Sequence, residues 1–425
     1  GTSADLARRM QVLVDGRSIY QPLLASVDWI GLPLDLADIE RIEVIRGPNA
    51  ASYGVNSFFA VVNIITRHPA DVAGSKISYR RGENGIEDYH ARFAQRAGNV
   101  DWRLSVAGRA DEGFVDNRRK NDIDFTDNKS TDSVYGRGVW AIDDNSSLEF
   151  SLGRAEMIAQ QQYRSTDIYL KVPEAEKENR FASLAWDTDL SETHQLRVQT
   201  NYSRFSRAEP WLVGIPPIVF DKSLGELYKI NRNCAKHLIY PVQSADPNRD
   251  TDDNNDGIPD ACNLASPQQV ALLQSVGLAA ATDPAYTDSR VFLSPNRATE
   301  SRTEVDVQDT WVFSPAFRSV FGLSYDKSVA TSDTYIAGRE ENVVWGLFAH
   351  AEWQLSSQLL LNLGGGQEFD HDAGNYFSPR AALNWQFLDD HVVRLVYSEA
   401  VRTPDILETS ADWGLNATDV LEPGS

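Results

Sequence analysis

The best candidate for a chemically active site in this sequence is an acidic segment at residues 250–263. With Asp252 as position 1, oxygen-bearing side chains fall at positions 1, 3 and 5, and Gly257 follows at position 6. Such spacing around a glycine that permits a sharp turn is typical of the first half of a calcium-binding loop. The predicted calcium ligands are the side chains of Asp252, Asn254, Asp256 and Asp260 and the carbonyl oxygen of Ile258. The twelfth position holds Asn263 instead of a bidentate glutamate, which predicts weakened binding. A solvated acidic loop without metal is the alternative.

The chain contains only two cysteines, Cys234 and Cys262. This number excludes a disulfide-dense scaffold and a four-cysteine zinc site. The two residues are close enough in the sequence to bridge one loop, and such a bridge would imply an oxidising compartment.

Enzymatic motifs are missing from the sequence. The seven histidines are scattered, and there is no HExxH, no GxSxG and no phosphate-binding glycine loop. Asp370, His371 and Asp372 could bind a metal ion, but they follow a predicted strand, where loop charge is the simpler interpretation. We therefore predict that the protein is not an enzyme. A net charge of −21 also argues against nucleic acid as a partner, because phosphate contacts need a basic face.

The residues after 73 alternate between apolar and polar side chains. Segments 102–109, 196–202 and 345–353 each place Trp, Leu, Val or Phe on one face of a strand and polar groups on the other. We count about thirteen such segments of roughly ten residues, the length that a tilted strand needs to cross a bilayer. No uninterrupted apolar stretch approaches the roughly 18 residues of a membrane-spanning helix.

The links between these segments are of two kinds. Short turns, such as Gly98-Asn99 and Ser356-Ser357, alternate with long polar links, of which 207–299 is the longest. Short turns at one end and long loops at the other are typical of outer-membrane barrels. Residues 73–425 are therefore predicted to be a transmembrane β-barrel with an extracellular loop at 207–299. Within that loop, a short helix is expected to begin at Pro267 and to end at Gly277.

The first 72 residues differ, with short buried-looking apolar runs and an ordered set of motifs. VLVDGR at 12–17 is followed by LADIERIEVIRGP at 36–48 and by VVNIITR at 61–67. This set resembles the plug domain of TonB-dependent receptors, and 378–383 and 397–404 resemble barrel strands of that family. The resemblance implies a small α+β plug inside a barrel of about 22 strands. This chain would then be an internal piece, lacking further strands and the amino-terminal segment that TonB grasps.

The resemblance also implies a function in the outer membrane of a Gram-negative bacterium. Receptors of this family bind a scarce nutrient, such as an iron chelate, cobalamin or another small ligand, and import it with energy from the TonB complex. In the family, plug arginines pair with barrel glutamates. We therefore expect plug–barrel contacts from Arg41, Glu43, Arg46 and Arg67, with solvated charges as the alternative. The ligand-binding residues remain unassigned. A passive porin and a secreted calcium-dependent adhesion module are the rival functions, and the plug motifs disfavour the porin.

The end of the acidic segment carries a second resemblance. GIPDAC at 257–262 resembles the thrombospondin type 3 calcium repeat, in which the cysteine forms a disulfide. This implies calcium as a cofactor and a bridge between Cys234 and Cys262. In the chain-entropy model the bridge would contribute about 3–4 kcal/mol to stability.

Overall fold

The computed structural model describes residues 10–47, 60–114, 127–160, 174–215, 222–232, 234–235, 267–282, 290–414 and 419–421. The chain divides into two compact units. The first comprises residues 1–162, 173–209 and 296–415, and the second comprises 163–172, 210–295 and 416–425. The first unit contains a small amino-terminal sheet and a large sheet, which we call the wall.

The small sheet is built from the motif-bearing residues. Its strands are β1 (Met10–Val14), β2 (Arg17–Ser18), β3 (Ile39–Arg46) and β4 (Ala60–Thr66), in the order β2-β1-β4-β3. Strands β1 and β4 are parallel, and the other pairs are antiparallel. The apolar runs form a core in which Val12, Ile19, Val27 and Ile64 are buried. A 3-10 helix at Pro69–Val72 precedes the first wall strand.

The turn between β1 and β2 requires residues that tolerate a left-handed backbone conformation. Asp15 and Gly16 have φ angles of +48° and +84°, so both central residues are left-handed, which is the geometry of the tight Asp-Gly hairpin turn. A Cβ added at Gly16 would also lie 2.9 Å from Oε1 of the wall residue Gln199. The glycine is therefore needed for the turn, whereas the contact with the flexible Gln199 side chain could be relieved by a shift of that side chain.

The wall is a sheet of 13 strands, each antiparallel to its neighbours, which confirms the predicted number. Two strands of the second unit, β12 and β13, interrupt its chain order, so β11 pairs with β14. The 13 wall strands are β5 (Gly74–Arg81), β6 (Glu87–Ala97), β7 (Val100–Asp111), β8 (Lys129–Ala141), β9 (Ser146–Ala159), β10 (Ala175–Ser191), β11 (His194–Ala208), β14 (Arg297–Ser314), β15 (Phe317–Ser332), β16 (Gly338–Ser356), β17 (Leu359–Asp370), β18 (Gly374–Leu388) and β19 (His391–Ser398). The two strands of the second unit that lie between them in the chain are β12 (Trp211–Ile215) and β13 (Arg290–Ser294).

In the wall, the apolar face is exposed and the polar face is buried, which is the reverse of the arrangement in a sheet of a water-soluble protein. On β7, Leu104 is 44% exposed, whereas its neighbour Arg103 is 1% exposed. Val106 and Ser105 show the same contrast. Apolar side chains therefore cover the outer face and polar side chains line the inner face, as the alternation predicted for strands that face lipid on one side.

The predicted sorting of the links is confirmed for the long ones. The antiparallel order places the strand ends that flank the long links at one end of the wall, namely Asp111 and Lys129, Ala159 and Ala175, and Ala208 and Arg297. At the opposite end the turns are short, and exposed aromatic side chains that include Phe313, Trp353 and Trp385 lie close to them. An aromatic girdle at a membrane interface has this character. We call the end with the long links the outer end.

The second unit contains β12, β13 and β20 (Asp419–Leu421), which form a three-stranded sheet. It also contains the helices α1 (Lys222–Ile230) and α2 (Pro267–Thr282), with Leu224, Leu227 and Val276 in a common core. Helix α2 begins at Pro267 as predicted, but the predicted end at Gly277 was wrong. Leu278 and the alanines after it favour helix strongly enough to continue past one glycine. Among the described residues, no helix combines the length and apolar character needed to cross a membrane.

The predicted calcium segment, 250–263, lies outside the described residues, as does Cys262. Cys234 is buried in the core of the second unit and is disulfide-bonded. The calcium ligands and the pairing of Cys234 with Cys262 therefore stay predictions.

Candidate functional site

We call the described residues before β5 the amino-terminal domain. Its interface with the wall has its centre at Thr66, the last residue of β4. Asp15 of the β1–β2 turn accepts hydrogen bonds from Thr66 N at 2.9 Å and from Thr66 Oγ1 at 2.7 Å. The Thr66 hydroxyl thus donates its only proton to Asp15, so Oγ1 can act only as an acceptor toward other groups. Nη1 of Arg137 donates to this oxygen at 2.7 Å and to the Thr66 carbonyl at 2.9 Å. Nη2 of Arg103 donates to the same Oγ1 at 3.3 Å.

The two wall arginines have separate counter-ions. Arg137 pairs with Glu149 on the neighbouring strand at 3.0 Å and lies 3.7 Å from Asp15. Arg103 lies 3.9 Å from Asp38 and is 5.1 Å from the ring centre of Tyr135. Buried guanidinium groups need such partners, because an unpaired buried charge is very costly.

Asp38 is the fully buried carboxylate of this interface. It is the last residue of a 3-10 helix at Leu36–Asp38. Nη1 of the wall residue Arg92 donates to Asp38 Oδ1 and to the Ala37 carbonyl, both at 3.3 Å, and Nε2 of His90 lies 3.5 Å from Oδ2. A carboxylate of the amino-terminal domain is therefore enclosed by basic groups of β6 and β7.

A loop of the amino-terminal domain at residues 20–27, which we call the apical loop, is held by a buried ion pair. Glu300 of β14 is 1% exposed, and its Oε2 accepts a hydrogen bond from Leu23 N at 2.7 Å. Its other oxygen pairs with Arg207 of β11, which also donates to Gln21 Oε1 at 2.9 Å. The charge-assisted bonds fix the loop through its main chain and one side chain.

A second segment, residues 399–414, meets the same loop from the outer end. It contains α3 (Ile406–Ser410), which begins with a capping box: Asp405 accepts from Glu408 N at 2.8 Å, and Glu408 accepts from Asp405 N at 3.2 Å. The first helical N–H groups are then directed at the apical loop. Ile406 N donates to the Pro22 carbonyl at 3.3 Å, and Leu407 N donates to the Leu23 carbonyl at 3.2 Å.

The β1–β2 hairpin inserts a cation into the wall. Arg17 is buried, its guanidinium lies 3.7 Å from the ring centre of Phe181, and its Nη1 donates to Ser203 Oγ at 3.3 Å. Burial lowers the pKa of Arg17 to about 10, so the group stays charged at neutral pH. The neighbouring Ser18 accepts a bond from Arg302 at 3.0 Å.

A cavity of about 610 Å³ lies between the amino-terminal domain and strands β14–β17. Gln11, Asp15 and Tyr20 line it on one side, and polar residues of the wall line it on the other. The outer segment contributes residues 403–406.

Three of the residues predicted to contact the barrel lie on β3 and have no wall partner among the described residues. Arg41 is exposed and pairs with Glu40 at 2.6 Å and Glu43 at 2.8 Å on its own strand. The hydrogen bond from Arg41 lowers the pKa of Glu43. Arg46 is exposed at the end of the strand. Their predicted role in plug–barrel contact stays a prediction.

Arg67, the fourth predicted residue, does contact the wall, but through its main chain. Its carbonyl oxygen accepts a bond from Arg103 Nη1 at 2.8 Å, while its side chain is exposed. The charges at this interface are therefore arranged mainly with arginines on the wall and acceptors on the amino-terminal domain. The sequence analysis missed Arg103, Arg137 and Glu300. Their position on the polar face of a predicted strand was the available signal.

Comparison with known proteins supports the same architecture. A family profile described as "TonB dependent receptor-like, beta-barrel" matches residues 116–424, and one described as "TonB-dependent Receptor Plug Domain" matches residues 1–61. The vitamin B12 transporter BtuB of Photobacterium profundum is 30% identical over 109 residues, which are 25% of this chain and 18% of that protein.

Solved structures share the fold at low sequence identity. The ferric enterobactin receptor PfeA of Pseudomonas aeruginosa is 14% identical with a TM-score of 0.60, and the match covers 94% of this chain and 55% of that one. The FrpB iron transporter of Neisseria meningitidis is 12% identical with a TM-score of 0.63, covering 95% and 58%. The chain spans about half the length of these relatives. Since the barrel profile covers most of the chain and the plug profile covers its beginning, the chain belongs to the TonB-dependent receptors, a family of the Gram-negative outer membrane.

Proposed function

We propose that this chain is part of a receptor that binds a scarce nutrient at the cell surface and imports it with energy from TonB. The observation that carries the proposal is the double attachment of the apical loop of the plug. Glu300 of the wall holds Leu23 N, and the outer segment holds the carbonyls of Pro22 and Leu23. A ligand that binds at the outer end is thus close to contacts that control the position of the plug.

The chemistry of the plug–wall interface suits a plug that must move. Its contacts at Thr66, Asp38 and Leu23 are hydrogen bonds and ion pairs between polar groups. Water can replace each partner, so the net contribution of each bond to stability is about 1–3 kcal/mol. Force applied by TonB to the plug can break such contacts one at a time, with water satisfying the exposed groups.

The partners follow from the same architecture. The exposed apolar side chains of the outer face, such as Leu104 and Leu347, contact outer-membrane lipid. TonB is proposed as the partner that acts on the plug. The ligand is a small molecule of the iron-chelate or cobalamin class, which the names of the ferric enterobactin receptor and the vitamin B12 transporter support.

Growth of a receptor-deletion strain that carries the full-length gene on a plasmid tests the proposal. Ferric enterobactin under iron limitation and vitamin B12 in a B12-requiring background are supplied in separate cultures. We expect growth on one ligand class that requires both the receptor and an intact tonB gene. Receptor-dependent uptake that is unchanged without TonB would instead indicate a passive channel.

We also propose that residues 250–263 bind calcium through Asp252, Asn254, Asp256, Ile258 and Asp260, beside a disulfide between Cys234 and Cys262. The ligand spacing supports this, as does the disulfide-bonded state of Cys234. Calorimetric titration of the full-length receptor with calcium should show one saturable site that is weakened in Asp256→Asn. Asp253→Asn, which removes the same charge from a position outside the ligand set, is the matched control. The absence of a calcium-dependent heat would exclude the site.

A further inference from the structure

The side of the cavity that the wall forms carries a row of four residues, three of which are acidic. Glu304 on β14 is paired in register with Asp326 on β15, Asp326 with Val344 on β16, and Val344 with Asp370 on β17. All of these residues line the cavity. Neighbouring strands are about 4.8 Å apart, so the row places carboxylates on three of four neighbouring strands, with Val344 between Asp326 and Asp370.

A parallel row lies two residues further along each strand. Asp306 is paired with Ser324, Ser324 with Gly346, and Gly346 with Glu368. Because side chains two residues apart share a face of the strand, this row lines the same cavity.

The arginines that line the cavity are already neutralised by other carboxylates. Arg302 lies 3.1 Å from Glu304 and is also paired with Asp326. The other lining arginines are Arg137, paired with Glu149 at 3.0 Å, and Arg197, paired with Asp187 at 2.7 Å. Within the described residues, neither Asp306 nor Asp370 forms an ion pair with an arginine or lysine within 4 Å, and Arg302 and Arg197 act on Asp306 only from a longer distance.

Asp370 has an unused, buried acceptor. The residue is 5% exposed, and its Oδ1 accepts bonds from the turn amides Asp372 N and Ala373 N, both at 2.9 Å. Its Oδ2 has no hydrogen-bond donor among the described residues. A buried carboxylate oxygen without a donor is costly, so this atom favours a ligand that brings an N–H group.

The opposite side of the cavity adds no positive charge. The plug residues that line it include Gln11, Asp15 and Tyr20, and no lysine, arginine or histidine occurs among them or among residues 403–406. Phe348, which is on the same face of β16 as Val344 and Gly346, also lines the cavity and offers a ring face that attracts cations.

The carboxylates do not converge as a metal site does. Among the described residues, no group of three or more His, Cys, Asp and Glu side chains could hold a metal ion. The negative charge is spread over a cavity of about 610 Å³, a size that suits a small organic molecule.

We propose that this cavity binds a transported ligand that carries more than one ammonium or guanidinium group, with Asp306 and Asp370 as acceptors for separate cationic groups. The inference rests on the proposed function and names its substrate class: a nutrient with a cationic organic arm. A polyanionic chelate is disfavoured because it would enter an acidic cavity without free cations.

Calorimetric titration of the detergent-solubilised full-length receptor with spermidine tests the proposal. Spermidine serves as a polycationic amine, and citrate as an anion of similar size. We expect saturable binding of spermidine and none of citrate. Asp306→Asn and Asp370→Asn should each weaken spermidine binding roughly tenfold, the effect of losing one charge-assisted bond.

The matched control is Glu156→Gln, which removes one charge from an exposed ion pair with Arg154 outside the cavity. It should leave the affinity unchanged. If Asp370→Asn fails to fold, Asp306→Asn alone decides the matter, because its side chain makes no hydrogen bond to the fold within the described residues. Absence of spermidine binding, or equal affinity in Asp306→Asn and the wild type, would overturn the proposal. The titration contains no TonB, so the binding result does not depend on whether uptake needs TonB. Uptake that is independent of TonB would refute the proposed function but would leave the result of the titration unchanged.

Discussion

Arg103 and Arg137 lie directly opposite each other on β7 and β8, and both donate a hydrogen bond to the hydroxyl oxygen of Thr66. Two like charges in this position repel each other, and among the described residues the wall carboxylate Glu149 pairs with Arg137 but not with Arg103. The plug supplies the common acceptor and the nearby carboxylates of Asp15 and Asp38. The plug is therefore seated by a charge arrangement that the wall leaves incomplete.

Replacement of Thr66 by valine should loosen the plug without changing its shape. The substitution keeps the branched side chain but removes the acceptor for two buried guanidinium groups and the donor to Asp15. We expect the free energy of local opening at residues 60–66 to fall by about 1–3 kcal/mol. Hydrogen–deuterium exchange of the full-length receptor measures this change.

Thr303→Val is the matched control, because Thr303 is opposite Tyr202, whose side chain lies on the outer face. Its exchange pattern in β4 should equal that of the wild type. Equal protection of β4 in Thr66→Val would show that the shared acceptor does not hold the plug.

Removal of Glu300 should release the apical loop. Glu300→Ala leaves Arg207 buried without its counter-ion and Leu23 N without its acceptor. Breaking one partner of a buried pair costs about 3–5 kcal/mol, so amide protection over residues 20–27 should fall strongly. Glu300→Gln keeps an acceptor and should have a smaller effect.

An exposed ion pair provides the comparison for this experiment. Glu341 is 44% exposed and lies 3.3 Å from Lys327. Glu341→Ala should change stability by less than about 1 kcal/mol. An effect of Glu300→Ala no larger than that of Glu341→Ala would contradict the role of the buried pair.

The sequence predicted the wall well because the membrane imposes a simple rule on it. Every strand must show apolar groups to lipid, so the period-two pattern at 102–109 or 345–353 identified both the strands and their outer faces. The hairpin turn at Asp15-Gly16 likewise depends on local sequence, since two left-handed residues require that sequence type.

The contacts of the plug could not be predicted in the same way. Arg103 and Arg92 are polar positions like many others on the inner face until the fold brings Thr66 and Asp38 against them. On β3, the sequence marked Arg41 and Glu43 as charged, but their partners proved to be each other. Tertiary neighbours, which a single strand does not encode, decide which charge meets the wall.

The turn after β17 should show a pH-dependent contact. Nδ1 of His371 lies 2.9 Å from Asp372 Oδ1, and this hydrogen bond raises the pKa of the exposed imidazole. A raised folded-state pKa means that the contact stabilises the turn below the ordinary histidine pKa of about 6.5. This stabilisation is lost as the pH rises through the folded-state pKa.

Titration of ¹³C-labelled histidine by NMR tests this expectation. The pKa of His371 should fall toward its ordinary value in Asp372→Asn and stay unchanged in Asp389→Asn, a substitution in a turn at the opposite end of the wall. An unchanged pKa in Asp372→Asn would exclude the aspartate as the cause.

A covalent link between the apical loop and the outer segment should separate ligand binding from transport. Leu407 N is hydrogen-bonded to the Leu23 carbonyl at 3.2 Å, so the two residues are neighbours and are chosen for an engineered disulfide. In Leu23→Cys/Leu407→Cys, oxidation would fix the loop to the segment. We expect ligand binding to persist and TonB-dependent uptake to fall to the level of a strain without TonB, since the plug can no longer leave the segment.

Reduction should restore uptake in the double-cysteine receptor. The two single-cysteine variants show the effect of losing each leucine, and wild type treated with the same reductant shows any effect on the native disulfide of Cys234. Full uptake by a receptor that is quantitatively cross-linked would mean that transport leaves this contact intact. The path of the ligand would then have to pass the plug on the side away from residues 399–414.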